Sequence, residues 1–457
     1  MANSIIVHID RMGQHGEGVA RDNEGRVIFV AGALPGEDVE ASITEVRKNF
    51  SRARVMNRLH SSPARVVPRC PIFDQCGGCA FQHWEYREEL AYKEDRVRQA
   101  LLRIAEIPNP PVDPIVGMAD PYGYRNKGQF PWGGTPGQAI LGLYARGTHR
   151  VVAAEQCDIQ DANINSVLGQ IKNMVNELGI PPYDEVTGNG ILRHVLLRSS
   201  RREQRILALL VVTHWDHRLQ QLADMMVAKL PQLAGVGVNF NTVRTNRVLG
   251  AETRLLAGQP SIYEDILGKS FVVSFESFFQ VNPAQVETLY RLAIDAIPHH
   301  TRVVWDLYAG VGTLAILASQ HADQVKALEV NPQAVRDANA NIAENGVTNV
   351  AMVLGQAENV IPQWAAHDQE MPGAVILDPP RSGVLPEVIN VLKAVHVNRL
   401  IYVSCNPDTL ARDIGLLKPE YQLTRVTPVD MFPRTDHVEA VAILDGSTVV
   451  GVRDMGQ

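Results

Sequence analysis

From about residue 265 onward the chain alternates between two periodicities. Apolar runs (RVVWDLY, QVKALEV, GAVILD, RLIYVS) are separated by stretches with helical apolar spacing (PAQVETLYRLAIDAI, PQAVRDANANIAENG, LPEVINVLKAV). Continuous apolar runs of strand length need cover on both faces, and strands returned through helices run parallel. This half of the chain is therefore restricted to an α/β, Rossmann-like doubly wound sheet with helices on both sides. Open sheets of that kind bind ligands in the crevice beyond the carboxyl ends of their strands. Chemistry is accordingly sought at the ends of these four runs.

The preceding half reads as two further units, in keeping with about 150 residues per domain in a chain of 457. Residues 1–58 alternate short β-type runs (SIIVHI, GRVIFV, DVEASITEV) with Gly- and Pro-bearing turns, the pattern of a small OB-like β-barrel. Residues 59–264 mix strand-like stretches (AILGLYA, RILALLVVTH, GVGVNFN) with the helical HRLQQLADMMVAKL, which predicts an α+β central domain; residues 265–457 complete the third unit. A helix over about 84–106 belongs to the central unit by sequence, with packing on the third as the alternative.

The charge balance is acidic, with 43 Lys and Arg against 50 Asp and Glu, a formal −7. No global cationic field is available, so a nucleic-acid partner needs a local basic patch. Two candidates exist: Arg47, Lys48, Arg52, Arg54, Arg58, Arg65 and Arg69, with no acid between them, and Arg193, Arg198, Arg201, Arg202 and Arg205. Each reads either as a phosphate-contacting surface or as a solvated face. No apolar run approaches the roughly 18 residues of a membrane span, and MANSIIVHIDRMG resembles no secretion signal, so a cytoplasmic protein is expected. Nothing in the chain calls for an obligate protein partner.

At the first strand end, DLYAGVGT places Gly310 and Gly312 before a helix, where backbone can approach an anion closely. The spacing through Ala315 also satisfies G-x-G-x-x-A, so a dinucleotide-binding fold competes. Glu329, closing KALEV, suits the hydroxyls of a ribose or the cap of the next helix, and Gln356 suits an adenine edge or plain surface. Asp378 ends GAVILD and is followed by a rigid Pro-Pro turn, a setting for holding a planar base beside a methyl donor. Cys405 leaves RLIYVS between Ser404 and Asn406, at a place where a thiolate can attack an electron-poor carbon, although a lone Cys is often only a small core residue. Glu439, with His437 two residues earlier, offers a general base; His437 also suits a structural or phosphate-contacting role.

Five cysteines complete the inventory. Cys70, Cys76 and Cys79, with the later Cys157, provide four thiols in the pattern C-x5-C-x2-C plus one. Such a set suits a [4Fe–4S] cluster or a tetrahedral zinc ion.

DLYAGVGT, DPPRSG, SCNP and the terminal HVE, in this order and preceded by FFQVNP, resemble the RNA uracil-5 methyltransferase family. The match spans nearly the whole chain, because the N-terminal barrel resembles a TRAM RNA-binding domain. The cysteine pattern resembles the iron–sulfur ligation of the family's 23S ribosomal RNA branch, whereas the transfer-RNA branch is similar over the catalytic domain. The resemblance implies methyl transfer from S-adenosyl-L-methionine to C5 of a specific uridine in 23S rRNA. Cys405 then adds to C6 and Glu439 removes the C5 proton. Gln280, Tyr308, Glu329 and Asp378 match the family's methyl-donor contacts. Tyr308 replaces a common Phe, Ala309 a frequent Cys, and Thr313 stands where a family member has Asn. It also implies that Cys70, Cys76, Cys79 and Cys157 hold a [4Fe–4S] cluster, with zinc as the runner-up. The target base must be extruded from a single-stranded or loop region. Phe278 or Phe279 is placed to stack on it, and Tyr124, Arg125, Asn126 and Lys127 to hold the surrounding strand. The competing readings are a transfer-RNA methyltransferase, an iron–sulfur NAD or flavin oxidoreductase, and a non-catalytic RNA-binding protein.

Overall fold

The computed structural model describes residues 4–447 except 246, 368–370 and 396. The strands Ser4–His8, Arg11–Met12, Gly18–Arg21, Val27–Ala31, Asp38–Val46 and Phe50–His60 form one six-stranded sheet. It curls around a core of Val7, Ile9, Ile28, Val30, Val39 and small alanines, which is how short strands with alternating burial close a domain of this size.

The central unit is a seven-stranded sheet running from Glu252–Gly258 at one edge to Val151–Ala153 at the other. Its strands Leu192–Ser199 and Ile206–Val212 are buried along their whole length, so both faces must be covered. The helices Ala162–Glu177 and His217–Lys229 pack on one face. On the other, Leu196, Leu207 and Leu209 join the core of the third unit through Phe271, Val273 and Phe275, which lie in or beside the hairpin Ser261–Ile266 and Lys269–Ser274.

The third unit is the doubly wound sheet that the alternation predicts. Its strands lie in the order Val350–Leu354, Ala322–Glu329, Thr301–Leu307, Ala374–Leu377, Arg399–Ser404, Glu439–Gly446, Tyr421–Val429. The first five pair in parallel; the last two are antiparallel. Strand order reverses between Thr301–Leu307 and Ala374–Leu377, and that switch point opens the crevice. Three helices of this unit start on the same signal, an Asn cap followed by Pro: Asn282 accepts from the Gln285 N–H, Asn331 from Gln333 and Asn406 from Asp408.

The helix Tyr86–Arg103 follows the cysteine-bearing segment but lies on the third unit. Val97, Ala100 and Leu101 share a core with Trp305, Leu410 and Ile414. Beyond it, Val112 and Val116 make parallel bridges to Val426 and Val429 and extend that sheet by a short edge. Among the described residues, no helix is long and apolar enough to cross a membrane.

Candidate active site

Sheet register brings the sulfur and the base together. Ser404 pairs with Ala440 at the end of the antiparallel ladder, so Cys405 and Glu439 are the next residues on the two neighbouring chains at the sheet edge, and the charge of Glu439 acts on the thiol. Cys405 is half-buried and lines a cavity of about 130 Å³ with Arg381, Asn406, Asp436 and His437. Gln14 and His15, from the first domain, lie on the same cavity, where the Gln14 amide donates to Asp408 at 2.7 Å. Burial pushes the Cys405 thiol up, and the negative charge of Glu439 adds to it against the pull of Arg381.

Behind the thiol lies a buried group of acids. Glu439 is pushed up to about 8 by burial and by Asp378, with Arg381 opposing. Asp378, at the end of Ala374–Leu377, is pushed up to about 7 by burial alone. Asp306 is fully buried and is pushed well above the carboxylate range by burial and then by Asp378, against the pull of the Ala315 N–H. Tyr290, itself buried, lies within the field of all three and is hydrogen-bonded to Gln280. Carboxyl groups buried together hold protons instead of charge, and a ligand with a sulfonium or ammonium group beside them would favour the ionised form.

The glycine turn forms the other wall. Tyr308, Gly310 and Gly312 all adopt left-handed backbone, with φ of 69°, 56° and 80°. Beside Gly310 an added Cβ would meet nothing within 4 Å, so the space over the turn is open. The Gly310 N–H donates to Glu329 at 2.9 Å, and the other Glu329 oxygen accepts the Asn331 N–H at 2.7 Å. Glu329 thus braces the turn, and Asn331 is the side chain that caps the next helix. Thr313 is buried as the first residue of Thr313–Ala318. The Tyr308 phenol is pushed up to about 12 by burial and by Glu358 and Asp413. Gln356 is exposed on the same edge, where its side-chain oxygen accepts from Asn359 at 2.8 Å.

The four remaining cysteines face one cavity of about 480 Å³, together with Phe73, Gln82, Arg125, Lys127 and Phe278. Burial pushes Cys79 up to about 12 and Cys157 to about 11, and the neighbouring thiols add to each shift. The Gln82 amide spans the group, accepting from the Cys70 N–H at 3.0 Å and donating to Cys79 Sγ at 3.3 Å. Among the described residues, no three His, Cys, Asp or Glu side chains are gathered as a metal-ion site.

Residues 213–446 match the family model described as tRNA (Uracil-5-)-methyltransferase, and residues 5–56 match the TRAM domain. The chain belongs to the uracil-5 methyltransferase family. An uncharacterised RNA methyltransferase of Halalkalibacterium halodurans is 38% identical over 97% of both chains. Another, of Caldanaerobacter subterraneus, is 39% identical over 96% of this chain and 97% of its own. A Pyrococcus abyssi tRNA (uracil-54, C5)-methyltransferase, solved with S-adenosyl-L-homocysteine, shares the fold over 96% of this chain and all of its own, with a TM-score of 0.78 and 24% identity. Family membership makes the protein an RNA methyltransferase and removes the ground for the hydride-transfer reading.

For a uracil-5 methyltransferase, the arginine groups divide unexpectedly. Arg193 and Arg198 are buried and spent on structure. The first donates to the carbonyls of Asn241 and Val243, and the second to that of Ser277. Arg202 pairs with Asp265 and Arg205 holds the Leu233 carbonyl. Within the second basic group, Arg193 and Arg198 are therefore internal braces, whereas Arg201 and Arg202 are exposed. Tyr124 and Asn126 are also buried, with the Tyr124 hydroxyl donating to the Pro433 carbonyl at 3.0 Å. Of the two phenylalanines, Phe279 packs in the core against Phe271, and Phe278 is 71% exposed beside the cysteine-lined cavity. His437 contacts Arg381 at 3.2 Å, and burial pushes its imidazole down, so it faces that cation neutral.

Asp306 and Tyr290 were not singled out by sequence. Asp306 carried a signal, a carboxylate inside an otherwise apolar buried run, WDLY. Tyr290 carried none, since an aromatic residue on a helix is ordinarily core.

Proposed function

We propose that this protein transfers a methyl group from S-adenosyl-L-methionine to C5 of a uridine in a single-stranded or loop region of 23S rRNA. The observation that carries the reading is the pairing of Ser404 with Ala440, which brings the adjacent Cys405 and Glu439 to the carboxyl edge of the sheet beside Asp378. Uracil C5 is a weak nucleophile until C6 is saturated. The Cys405 thiolate adds to C6, and the electrons of the C5–C6 bond pass to C5 and O4. When bound, S-adenosyl-L-methionine supplies a sulfonium methyl group that C5 can take. Glu439, ionised, accepts the C5 proton; the electrons of that C–H bond re-form the C5–C6 bond and expel Cys405 as thiolate. Gln280, Tyr308, Gly310, Thr313, Glu329, Gln356 and Asp378 are the residues assigned to hold the donor, and the buried Asp306 lies within the field of Asp378 in the same group. The extruded base enters beside Arg381 and His437.

Cys70, Cys76, Cys79 and Cys157 are assigned to a [4Fe–4S] cluster. What supports the reading is that all four thiols line one cavity, a donor set that suits a cubane cluster or a tetrahedral zinc ion. The group is read as structural, and iron and sulfide analysis of anaerobically purified protein tests it. About four irons per chain is the expected count; one zinc and no iron overturns the assignment.

A transfer-RNA uridine is the second reading, favoured by the description of the matching family model. Both are tested by incubating the protein with labelled S-adenosyl-L-methionine and either 23S rRNA or transfer RNA, then digesting to nucleosides. Label in 5-methyluridine from ribosomal RNA alone is expected; label from transfer RNA alone moves the substrate, and label in neither overturns the activity. Glu439→Gln should trap a denaturation-stable RNA adduct that Cys405→Ala cannot form. A stable adduct in the Cys405→Ala protein would falsify the nucleophile.

A further inference from the structure

The loop from Asp430 to Val438, which carries His437 and delivers Glu439 to the sheet edge, is gripped almost entirely by residues outside the methyltransferase sheet. The Lys93 ammonium, fully buried on the helix Tyr86–Arg103, donates to Asp430 and Glu89 at 2.7 Å each and to the Phe432 carbonyl at 3.2 Å. The Tyr86 hydroxyl donates to Asp430 at 2.7 Å, and Arg96 to the Asp436 carbonyl at 2.6 Å. Arg434 sits at the centre of this grip. It is 7% exposed and holds φ at 69°, a left-handed backbone that costs a side chain free energy. Its guanidinium lies 5.0 Å from the rings of both Tyr86 and Tyr122 and donates to Glu89 and to the Trp84 carbonyl. Its N–H donates to Glu89 at 2.7 Å, and its carbonyl accepts from Ala80 and Phe81, the residues immediately after Cys79.

We propose that Arg434 is a positioning residue, locking the loop that presents Glu439 to the segment that carries Cys79. The inference rests on the reading of Glu439 as the base. A planar fork stacked on an aromatic ring and paired with a carboxylate leaves little rotational freedom, and an ammonium does not reproduce it. Strain at a buried non-glycine residue persists only where its surroundings overdetermine it, and every contact here fixes the loop leading to the base.

The experiment compares the full-length wild type with Arg434→Gly and Arg434→Lys. Glycine accepts the left-handed backbone and keeps both main-chain links, but Arg434→Gly leaves Glu89 to Lys93 alone and should melt below wild type, so the kinetics are measured at a temperature where circular dichroism shows every variant folded. Misplacing a base by about an ångström costs roughly a hundredfold in rate. We expect kcat to fall by about ten- to a hundredfold with KM for RNA within about threefold, and Arg434→Lys to recover little. The decisive readout is the covalent RNA adduct. Addition by Cys405 does not need Glu439 and resolution does, so the adduct should build up in Arg434→Gly at steady state. Slowed turnover with no adduct, or wild-type kinetics, overturns the proposal. Glu439→Gln run alongside separates the two readings. An adduct there but not in Arg434→Gly overturns the positioning role alone, and an adduct in neither overturns the assignment of Glu439 with it.

Discussion

Glu439 must be ionised to take a proton, yet burial and Asp378 hold it up to about 8. The Cys405 thiol is raised for related reasons, burial first and Glu439 second. Both groups therefore lose their protons only in the alkaline range, and kcat/KM with S-adenosyl-L-methionine as the varied substrate, which reports groups of the enzyme before the donor binds, should still be climbing above pH 8. Asp378→Asn removes the like charge and should move that limb to lower pH, whatever it does to the maximum; an unmoved limb would show that Asp378 does not set the base. The same shift has a cost in stability. Between about 4.5 and 8 the folded protein keeps a proton on Glu439 that the unfolded chain has released, so stability falls as pH climbs through that window and the loss is complete above it. Glu439→Gln carries no such loss. Urea denaturation should find it more stable than wild type at pH 9, by on the order of 3 kcal/mol, and nearly equal at pH 4.

Elements were more legible than their partners. The Asn-Pro pairs at 282, 331 and 406 announce three helix starts in the sequence, because Asn caps the free N–H groups and Pro tolerates the first turn, and all three are helix starts in the fold. The periodicity of Tyr86–Arg103 likewise showed a helix, but not the surface it covers. Lys93 lies on the apolar stripe of that helix, four residues after Glu89, and reads from sequence as an ordinary surface pair. Its second partner, Asp430, is 337 residues away, so no local pattern could show that the ammonium is fully buried. A buried cation with two carboxylates makes a sharp prediction. Lys93→Met keeps the bulk but leaves Glu89 to Arg434 and Asp430 with only the Tyr86 hydroxyl, a buried carboxylate without its counter-charge, which costs about 3–5 kcal/mol. Chemical denaturation should show that loss, and a change under 1 kcal/mol would mean that these carboxylates are satisfied without Lys93. At the site, strand ends were legible because a buried run must stop where ligands begin. Asp306, placed inside such a run, was not read as a site residue for the same reason.

At the scale of the molecule, the first domain is docked and not merely tethered, since Gln14 reaches Asp408 and Tyr92 holds the Gly13 carbonyl at the edge of the Cys405 cavity. The basic run from Arg47 to Arg69 looks uncontested along the chain only because its acids come from elsewhere in the barrel. Arg47 pairs with Glu45, Arg52 with Glu17, and Arg58 and Arg65 with the buried Glu37. A count of positive residues therefore overstates the surface available to phosphate. Lys48 and Arg54 are exposed, the first in the turn before Phe50–His60 and the second on that strand. If the barrel grips single-stranded RNA through such groups, binding should weaken linearly in log salt, with a slope near −0.7 for each phosphate neutralised. Lys48→Ala and Arg54→Ala should each flatten that slope by about 0.7 and raise Kd similarly for target and unrelated RNA, since phosphate contacts carry no sequence information. Arg65→Ala should instead destabilise the barrel, because it strands Glu37, whose carboxylate also accepts the Leu34 and Ser62 N–H groups. Fluorescence anisotropy over a salt series separates the outcomes, and an unchanged slope in both exposed variants would move the RNA path off this face of the barrel.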